Sequence, residues 1–282
     1  MYVLDNGNIT IKIQAPREVY DHPRFSQLGL ITSAVRDGVE YTTECIAGKA
    51  RREGLGLACE YGIFNPPLYE NVPTGVRFPK PGVGALMKFR EDYSFGDDFD
   101  TLYADIRITQ GDGCIEFSET TSLGEYSVFA SNRISLDGVD IVNAYRVENL
   151  GGKPFVTEEY CHNFINLGQL HITGVSVDID CPFDLSQSPK CISRTGRGIR
   201  FDAPPPEGYY FRFTDGALPR VFTMAGETLA FRETVDFTPG IIALWGQAYV
   251  SCVELFNTLN LQPGEKTAYT RRFSLLKKSE IY

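Results

Sequence analysis

The chain has 282 residues, 43% of them hydrophobic, and a formal net charge of −9 from 27 Lys and Arg against 36 Asp and Glu. An acidic surface repels phosphate backbones and anionic lipid, so nucleic acid and membrane are excluded as expected partners, whereas a neutral small molecule is compatible. No run approaches about 18 consecutive apolar residues, no basic segment followed by an apolar run opens the chain, and the seven cysteines form no Cys-x-x-Cys pair, so the expectation is a cytoplasmic protein with reduced thiols, no transmembrane helix and no signal peptide.

Period-two alternation dominates the sequence. Ile9-Thr10-Ile11-Lys12-Ile13 alternates apolar and polar residues, the pattern of a strand with one face in a core. His22 sits in the turn-like Asp21-His22-Pro23 and reads as structural or solvated. The segment from Asn65 to Pro81 reads as loop-rich, and loops of that kind on a rigid sheet often carry binding residues. Gly82-Val83-Gly84 begins a dinucleotide-binding glycine pattern but lacks both its completion and a following helix. Alternation returns from Leu102 to Ile108 and again in Tyr210-Phe211-Arg212-Phe213. Asp-Gly pairs at 37–38, 112–113, 137–138 and 215–216 supply the positive φ angles of tight hairpins.

The loop Asp202-Ala203-Pro204-Pro205-Pro206-Glu207-Gly208 has strand-like sequence on both sides and reads as a surface connection, not a domain boundary. No segment of a dozen residues holds a helical spacing of apolar positions. The expectation is an all-β chain, an antiparallel sandwich or barrel, forming one domain over residues 1–282.

Candidate chemistry is narrowed by there being only three histidines. His171 starts an apolar run containing Ile172, Val175 and Val177 and reads as a core or edge histidine. His162 lies in Glu158-Glu159-Tyr160-Cys161-His162-Asn163-Phe164-Ile165-Asn166. On a strand, Glu158, Tyr160, His162, Phe164 and Asn166 share one face, joining aromatic rings to acid, imidazole and amide groups. A pyranose needs such a surface, because its C–H patches pack on rings while its hydroxyls need paired partners. A half-buried strand with a hydrogen-bonded histidine explains the pattern equally well.

Glu254 falls in step with Val250, Cys252 and Phe256. A carboxylate among apolar side chains is costly unless paired, and desolvation raises its proton affinity, which suits a general base. An edge-strand glutamate facing water is the plainer alternative. Cys161 points away from His162, which argues against a thiol nucleophile. No histidine pair has metal-ligand spacing and no Gly-x-Ser-x-Gly elbow occurs, so no metal, no other cofactor and no α/β-hydrolase chemistry is expected.

Two segments carry a resemblance. Cys161-His162-Asn163-Phe164-Ile165-Asn166-Leu167-Gly168 resembles the Asn-His-Ser-Tyr-Phe-Asn-Leu-x-Gly signature of aldose 1-epimerases, the galactose mutarotases. Cys252-Val253-Glu254 resembles the strand carrying that family's glutamate, followed here by Pro263-Gly264-Glu265 and a strand from Thr267 to Leu275. Leu28-Gly29-Leu30-Ile31-Thr32-Ser33 with Asp37-Gly38 resembles its opening hairpins. The family's Leu-His-Gly-Gly histidine is missing, the equivalent region reading Phe78-Pro79-Lys80-Pro81-Gly82-Val83-Gly84. Its Asn-Arg-Ile segment is also missing, with Gly54-Leu55-Gly56-Leu57-Ala58-Cys59-Glu60-Tyr61-Gly62 in place of both. The chain resembles a divergent member.

The resemblance implies a large antiparallel β-sandwich, the galactose mutarotase-like supersandwich. It implies anomer interconversion by ring opening, Glu254 taking the anomeric proton while a protonated His162 donates to the ring oxygen. Lys80, Glu60 and Tyr160, with Asn163 and Phe164 beside the histidine, are the candidates for anchoring the sugar. A His162–Glu254 separation of roughly 5–8 Å would bracket a ring's reacting atoms. The expected partner is a small-molecule sugar, and assembly as a homodimer is compatible. Three other classes remain open: a sugar-binding protein without turnover, a lyase or hydrolase on the same scaffold, and a purely structural sandwich. The single tryptophan, Trp245, argues against an extended aromatic platform for oligosaccharides.

Overall fold

The computed structural model describes residues 1–64, 66–181, 185, 190–214 and 217–281. The strands in chain order are β1 (Tyr2–Asp5), β2 (Ile9–Ile13), β3 (Ile31–Arg36), β4 (Val39–Glu40), β5 (Leu57–Tyr61), β6 (Arg77–Lys80), β7 (Gly84–Met87) and β8 (Thr101–Tyr103). There follow β9 (Arg107–Gly111), β10 (Cys114–Leu123), β11 (Tyr126–Asp137), β12 (Asp140–Asn149), β13 (Phe155–Asn163), β14 (Ser176–Asp178), β15 (Ile192–Thr195) and β16 (Gly198–Phe201). The last are β17 (Tyr209–Phe213), β18 (Val221–Ala225), β19 (Leu229–Val235), β20 (Ile241–Gln247), β21 (Val250–Leu261) and β22 (Lys266–Lys277). Helical structure among the described residues is limited to one turn at Ala50–Glu53 and a 3₁₀ turn at Lys278–Glu280.

These strands build two large sheets and one small one. The first runs β1-β2-β3-β5-β13-β21-β20-β17, with β4 paired to β3. The second runs β15-β16-β14-β18-β19-β22-β12-β11-β10-β9, and β6-β7-β8 form the third. Every strand pairing among the described residues is antiparallel. The all-β antiparallel sandwich expected from sequence is the architecture found.

Alternation decides which side chains fill the space between the large sheets. In β2, Ile9, Ile11 and Ile13 are buried while Thr10 and Lys12 are not. They join Cys161, Ile242, Leu244, Val253 and Leu255 of the first sheet and Phe117, Ile134, Ile141, Phe273 and Leu275 of the second in one apolar core. Each large aliphatic or aromatic side chain so buried contributes about 1.5–3 kcal/mol. Asp37-Gly38 turns between β3 and β4 with φ of 52° and 76°, the paired positive angles of a tight hairpin. The Asp112-Gly113 pair also turns between strands, Asp137 ends β11 with Gly138 opening its turn into β12, and Asp215-Gly216 lies outside the described residues.

The central strands of the first sheet depart from alternation. From Thr157 to Asn163, and from Val250 to Asn257, every residue is buried. Their outer face is covered as well, by apolar side chains of the connections between strands: Tyr20, Phe25, Cys45 and Leu55 pack on Ala58, Phe164 and Cys252. The small sheet adds its own aromatic cluster of Tyr69, Phe78 and Phe99. This outer layer is what places the candidate site inside the protein instead of on an open sheet.

Two expectations about local structure are corrected. The alternating run Leu102–Ile108 is not one strand: β8 ends in the small sheet at Tyr103 and β9 begins in the second large sheet at Arg107. Gly84 permits the close approach at this crossover, since a Cβ there would lie 2.2 Å from the Leu102 carbonyl oxygen. The loop-rich reading of 65–81 is also incomplete, because Arg77–Lys80 forms β6 and pairs with β7 across the Gly82 turn; Asn65 itself lies outside the described residues.

Candidate active site

Strand register brings His162 and Glu254 together. The β13–β21 ladder runs from Phe155↔Leu261 to Glu159↔Asn257 and resumes in the same register at the bridge Ile165↔Ser251. That register sets His162 opposite Glu254. Their neighbours Cys161 and Val253 point into the sandwich core, so the imidazole and the carboxyl project on the outer face. His162 Nε2 lies 3.4 Å from a Glu254 carboxylate oxygen. The two groups touch; the 5–8 Å gap expected from sequence is not present.

The pair forms the inner end of a cleft of about 490 Å³. Tyr210 and Arg212 reach it from β17, and Trp245 and Gln247 from β20. Arg24, Cys45, Ile46, Glu53, Ile63, Phe64 and Phe95 come from the connecting segments. Phe64 and Phe95 remain 43% and 42% exposed, with Arg212 lying over the Phe64 ring and Arg24 over the Phe95 ring.

His162 is held by rings. It stacks on Phe164 at 4.1 Å and meets Trp245 edge-on at 5.1 Å. Its Nδ1 is buried and has no hydrogen-bond partner among the described residues. Burial, reinforced by the Arg24 guanidinium, holds the imidazole well below its usual 6.5. Burial pushes Glu254 up to about 8, with Arg24 opposing and the carboxylates of Glu60 and Glu233 adding to the rise. The short separation would allow an ion pair, yet both shifts favour the uncharged forms. Burial decides: His162 and Glu254 are each 3% exposed, and among the described residues no donor hydrogen-bonds the Glu254 carboxyl.

Three of the expected sugar contacts lie beneath the cleft instead of in it. Glu60 and Tyr160 are 0% exposed and Lys80 1%. Lys80 Nζ donates to Glu60 at 3.0 Å and to the Tyr93 hydroxyl at 3.1 Å. Tyr160 donates to the other Glu60 oxygen at 2.7 Å, and Arg24 Nε donates to it at 2.8 Å. Burial pushes Glu60 up, but Lys80 and Arg24 together pull it below the usual carboxylate range. This cluster is a support for Arg24, whose guanidinium lies against the Phe25 and Phe95 rings.

Asn163 and Phe164 do not line the cleft either. Phe164 is wholly buried behind the imidazole. Asn163 faces the opposite side of the sheet, where its amide bonds Val253 and Glu233. A regular strand alternation puts it there, so its expected contact with a sugar does not fit the structure.

Sequence reasoning overlooked the residues that do line the cleft. Arg24 directly follows the Asp21-His22-Pro23 turn but has no pattern of its own. Tyr210 and Arg212 are the outward set of a strand that alternation identified, and Trp245 was weighed only as a scarce platform. His22 accepts from the Arg24 backbone N–H at 3.3 Å, a structural role, and His171 is exposed. All seven cysteines are free. Among the described residues no group of three or more His, Cys, Asp or Glu is placed to hold a metal ion, and no helix is long and apolar enough to cross a membrane.

No family model matches the sequence, and no curated protein matches it. Solved structures do match over nearly the whole chain. A Synechocystis protein, Slr1438, superposes with a TM-score of 0.65 at 13% identity, over 98% of this chain and 96% of its own. A galactose mutarotase-like protein from Lactobacillus casei gives 0.61 at 13% identity, over 98% and 99%. A galactose 1-epimerase from Lactobacillus acidophilus gives 0.57 at 12% identity, over 98% and 93%. The chain has the galactose mutarotase-like fold.

Proposed function

We propose that the protein interconverts the anomers of a small sugar by acid–base ring opening at His162 and Glu254. The observation that carries this reading is that the two side chains, far apart in sequence, meet at 3.4 Å at the inner end of one aromatic-walled cleft. The fold shared with mutarotase-like structures supports it.

Ring opening needs one group with a proton and one with a lone pair. Here the buried pair starts uncharged, so the roles are inverted relative to those the sequence resemblance implies. Glu254 carries the proton and donates it to the ring oxygen, while neutral His162 takes the proton of the anomeric hydroxyl through Nε2. The C1–O5 bond breaks, C1 becomes the aldehyde carbon, and the pair becomes imidazolium and carboxylate. Rotation about C1–C2 and return of both protons closes the ring on the other face. Arg24, already one of the charges acting on both groups, stabilises the carboxylate as it forms. General acid–base catalysis of this kind is worth about 10²–10⁴-fold.

The test is anomer interconversion followed by exchange NMR for the wild type, His162→Asn and Glu254→Gln. Each substitution should slow interconversion by about a hundredfold or more; unchanged rates in both variants would rule the chemistry out. A second reading, sugar binding without turnover, is favoured by the direct His162–Glu254 contact, which a ring must wedge apart to reach both groups. Saturable binding with no interconversion by the wild type would select it.

A further inference from the structure

The β13–β21 seam is open where the site lies. Backbone pairing stops at Glu159↔Asn257 and returns only at the isolated bridge Ile165↔Ser251. Between these points, the Val253 N–H and C=O are both met by one side chain. Val253 N–H donates to the Asn163 side-chain Oδ1 at 3.0 Å, and Asn163 Nδ2 donates to the Val253 backbone carbonyl at 2.6 Å. A carboxamide offers the same donor and acceptor as a peptide group, but at the end of a side chain. Adjacent strands joined by backbone rungs stand about 4.7–4.9 Å apart. A side-chain amide inserted as the rung requires a wider spacing.

The second large sheet holds that amide in place. Glu233 on β19 accepts from the same Nδ2 at 3.1 Å, which fixes which end of the amide is the donor. Arg271 on β22, fully buried, donates to Glu233 at 2.6 Å, to Glu159 at 2.7 Å and to the open Leu255 carbonyl at 2.8 Å. The Val253 N–H and C=O and the Leu255 carbonyl therefore have partners where the seam is open, as burial demands. Asn163 and Val253 are the chain neighbours of His162 and Glu254. What separates the first two on the inner face sets the spacing of the second two on the outer face.

We infer that Asn163 is a positioning residue for the His162–Glu254 pair, its side-chain amide replacing a backbone rung between β13 and β21 and fixing the distance at which imidazole and carboxyl meet. The inference rests on the proposed function for its catalytic consequence, but not for the geometry. It assigns no contact between Asn163 and substrate.

Two variants test it. Asn163→Leu keeps the branched shape and removes the two hydrogen bonds to Val253 and the one to Glu233. Asn163→Ser is shorter, leaves room for water at Val253, and preserves folding should the leucine variant not fold. The direct readout is the ¹⁵N chemical shift of the His162 imidazole, one of only three histidines, and its response to Glu254→Gln. In the Asn163 background the protein has the pair in contact, so Glu254→Gln shifts the His162 signals; in folded Asn163→Leu or Asn163→Ser protein that response falls by half or more.

With a sugar that the wild type interconverts, kcat falls about tenfold to a hundredfold, the scale expected of a displaced catalytic group, while KM stays within about threefold. A folded variant that keeps the full His162 response overturns the positioning role, as does a loss of rate matched by the loss of folded protein. If the wild type interconverts no sugar, the proposed function fails while the imidazole response still decides the role of Asn163.

Discussion

Replacing Glu254 by Gln should make the protein more stable, and increasingly so as pH rises. The carboxyl is 3% exposed, and burial moves its pKa from an ordinary 4.5 to about 8. The folded protein then holds a proton that the unfolded chain has released. With a raised folded-state value, the stabilisation is complete below pH 4.5 and is lost as pH climbs to about 8. Each tenfold change in proton affinity is worth roughly 1.4 kcal/mol, so ionisation in place costs about 5 kcal/mol. Gln keeps the shape and never ionises. The two proteins should therefore melt together near pH 5, and the variant should melt roughly 10 °C or more above the wild type at pH 9.

His162 acts in the opposite direction, because its depressed affinity removes stability as pH falls below about 6.5. Differential scanning calorimetry from pH 5 to pH 9 gives the comparison. A melting difference that does not change with pH, or a variant less stable than the wild type at pH 9, would mean that Glu254 is ionised beside an imidazolium. The inverted acid–base roles would then be wrong.

Two further outcomes follow from the same geometry. Arg271→Met leaves Glu159 and Glu233 buried without their shared cation and should cost about 3–5 kcal/mol in urea unfolding. Glu233 already stands at about 7 despite Arg271; without the arginine it rises further, so the loss is greater at pH 8 than at pH 5, and equal losses at the two pH values would contradict the network. Trp245, the single tryptophan, lines the cleft, so a bound sugar should change intrinsic fluorescence saturably and Trp245→Phe should abolish the signal. A sugar that binds by calorimetry without altering that fluorescence would place its site elsewhere.

Much of this molecule follows from the sequence alone. Alternation in β2 and β17, the Asp-Gly hairpins at 37–38 and 112–113, and the absence of helical spacing determine an all-β antiparallel chain. The strand positions of His162 and Glu254 set each on the face opposite Cys161 and Val253. Alternation, however, only sorts side chains between two faces. Where both faces are buried, as along β13 and β21, it does not say which faces the core and which the cleft, or what lies across the seam.

The tertiary structure decided those matters because they depend on distant pairings. It put Glu60, Lys80 and Tyr160 below the cleft, since buried charges must find one another. It turned Asn163 from an expected sugar contact into a rung between strands. It brought in Arg24, a turn residue with no pattern of its own, and closed the His162–Glu254 gap to direct contact. The identity of the pair is written locally, in strand periodicity; its spacing and charge state are set by the sheet seam and by burial.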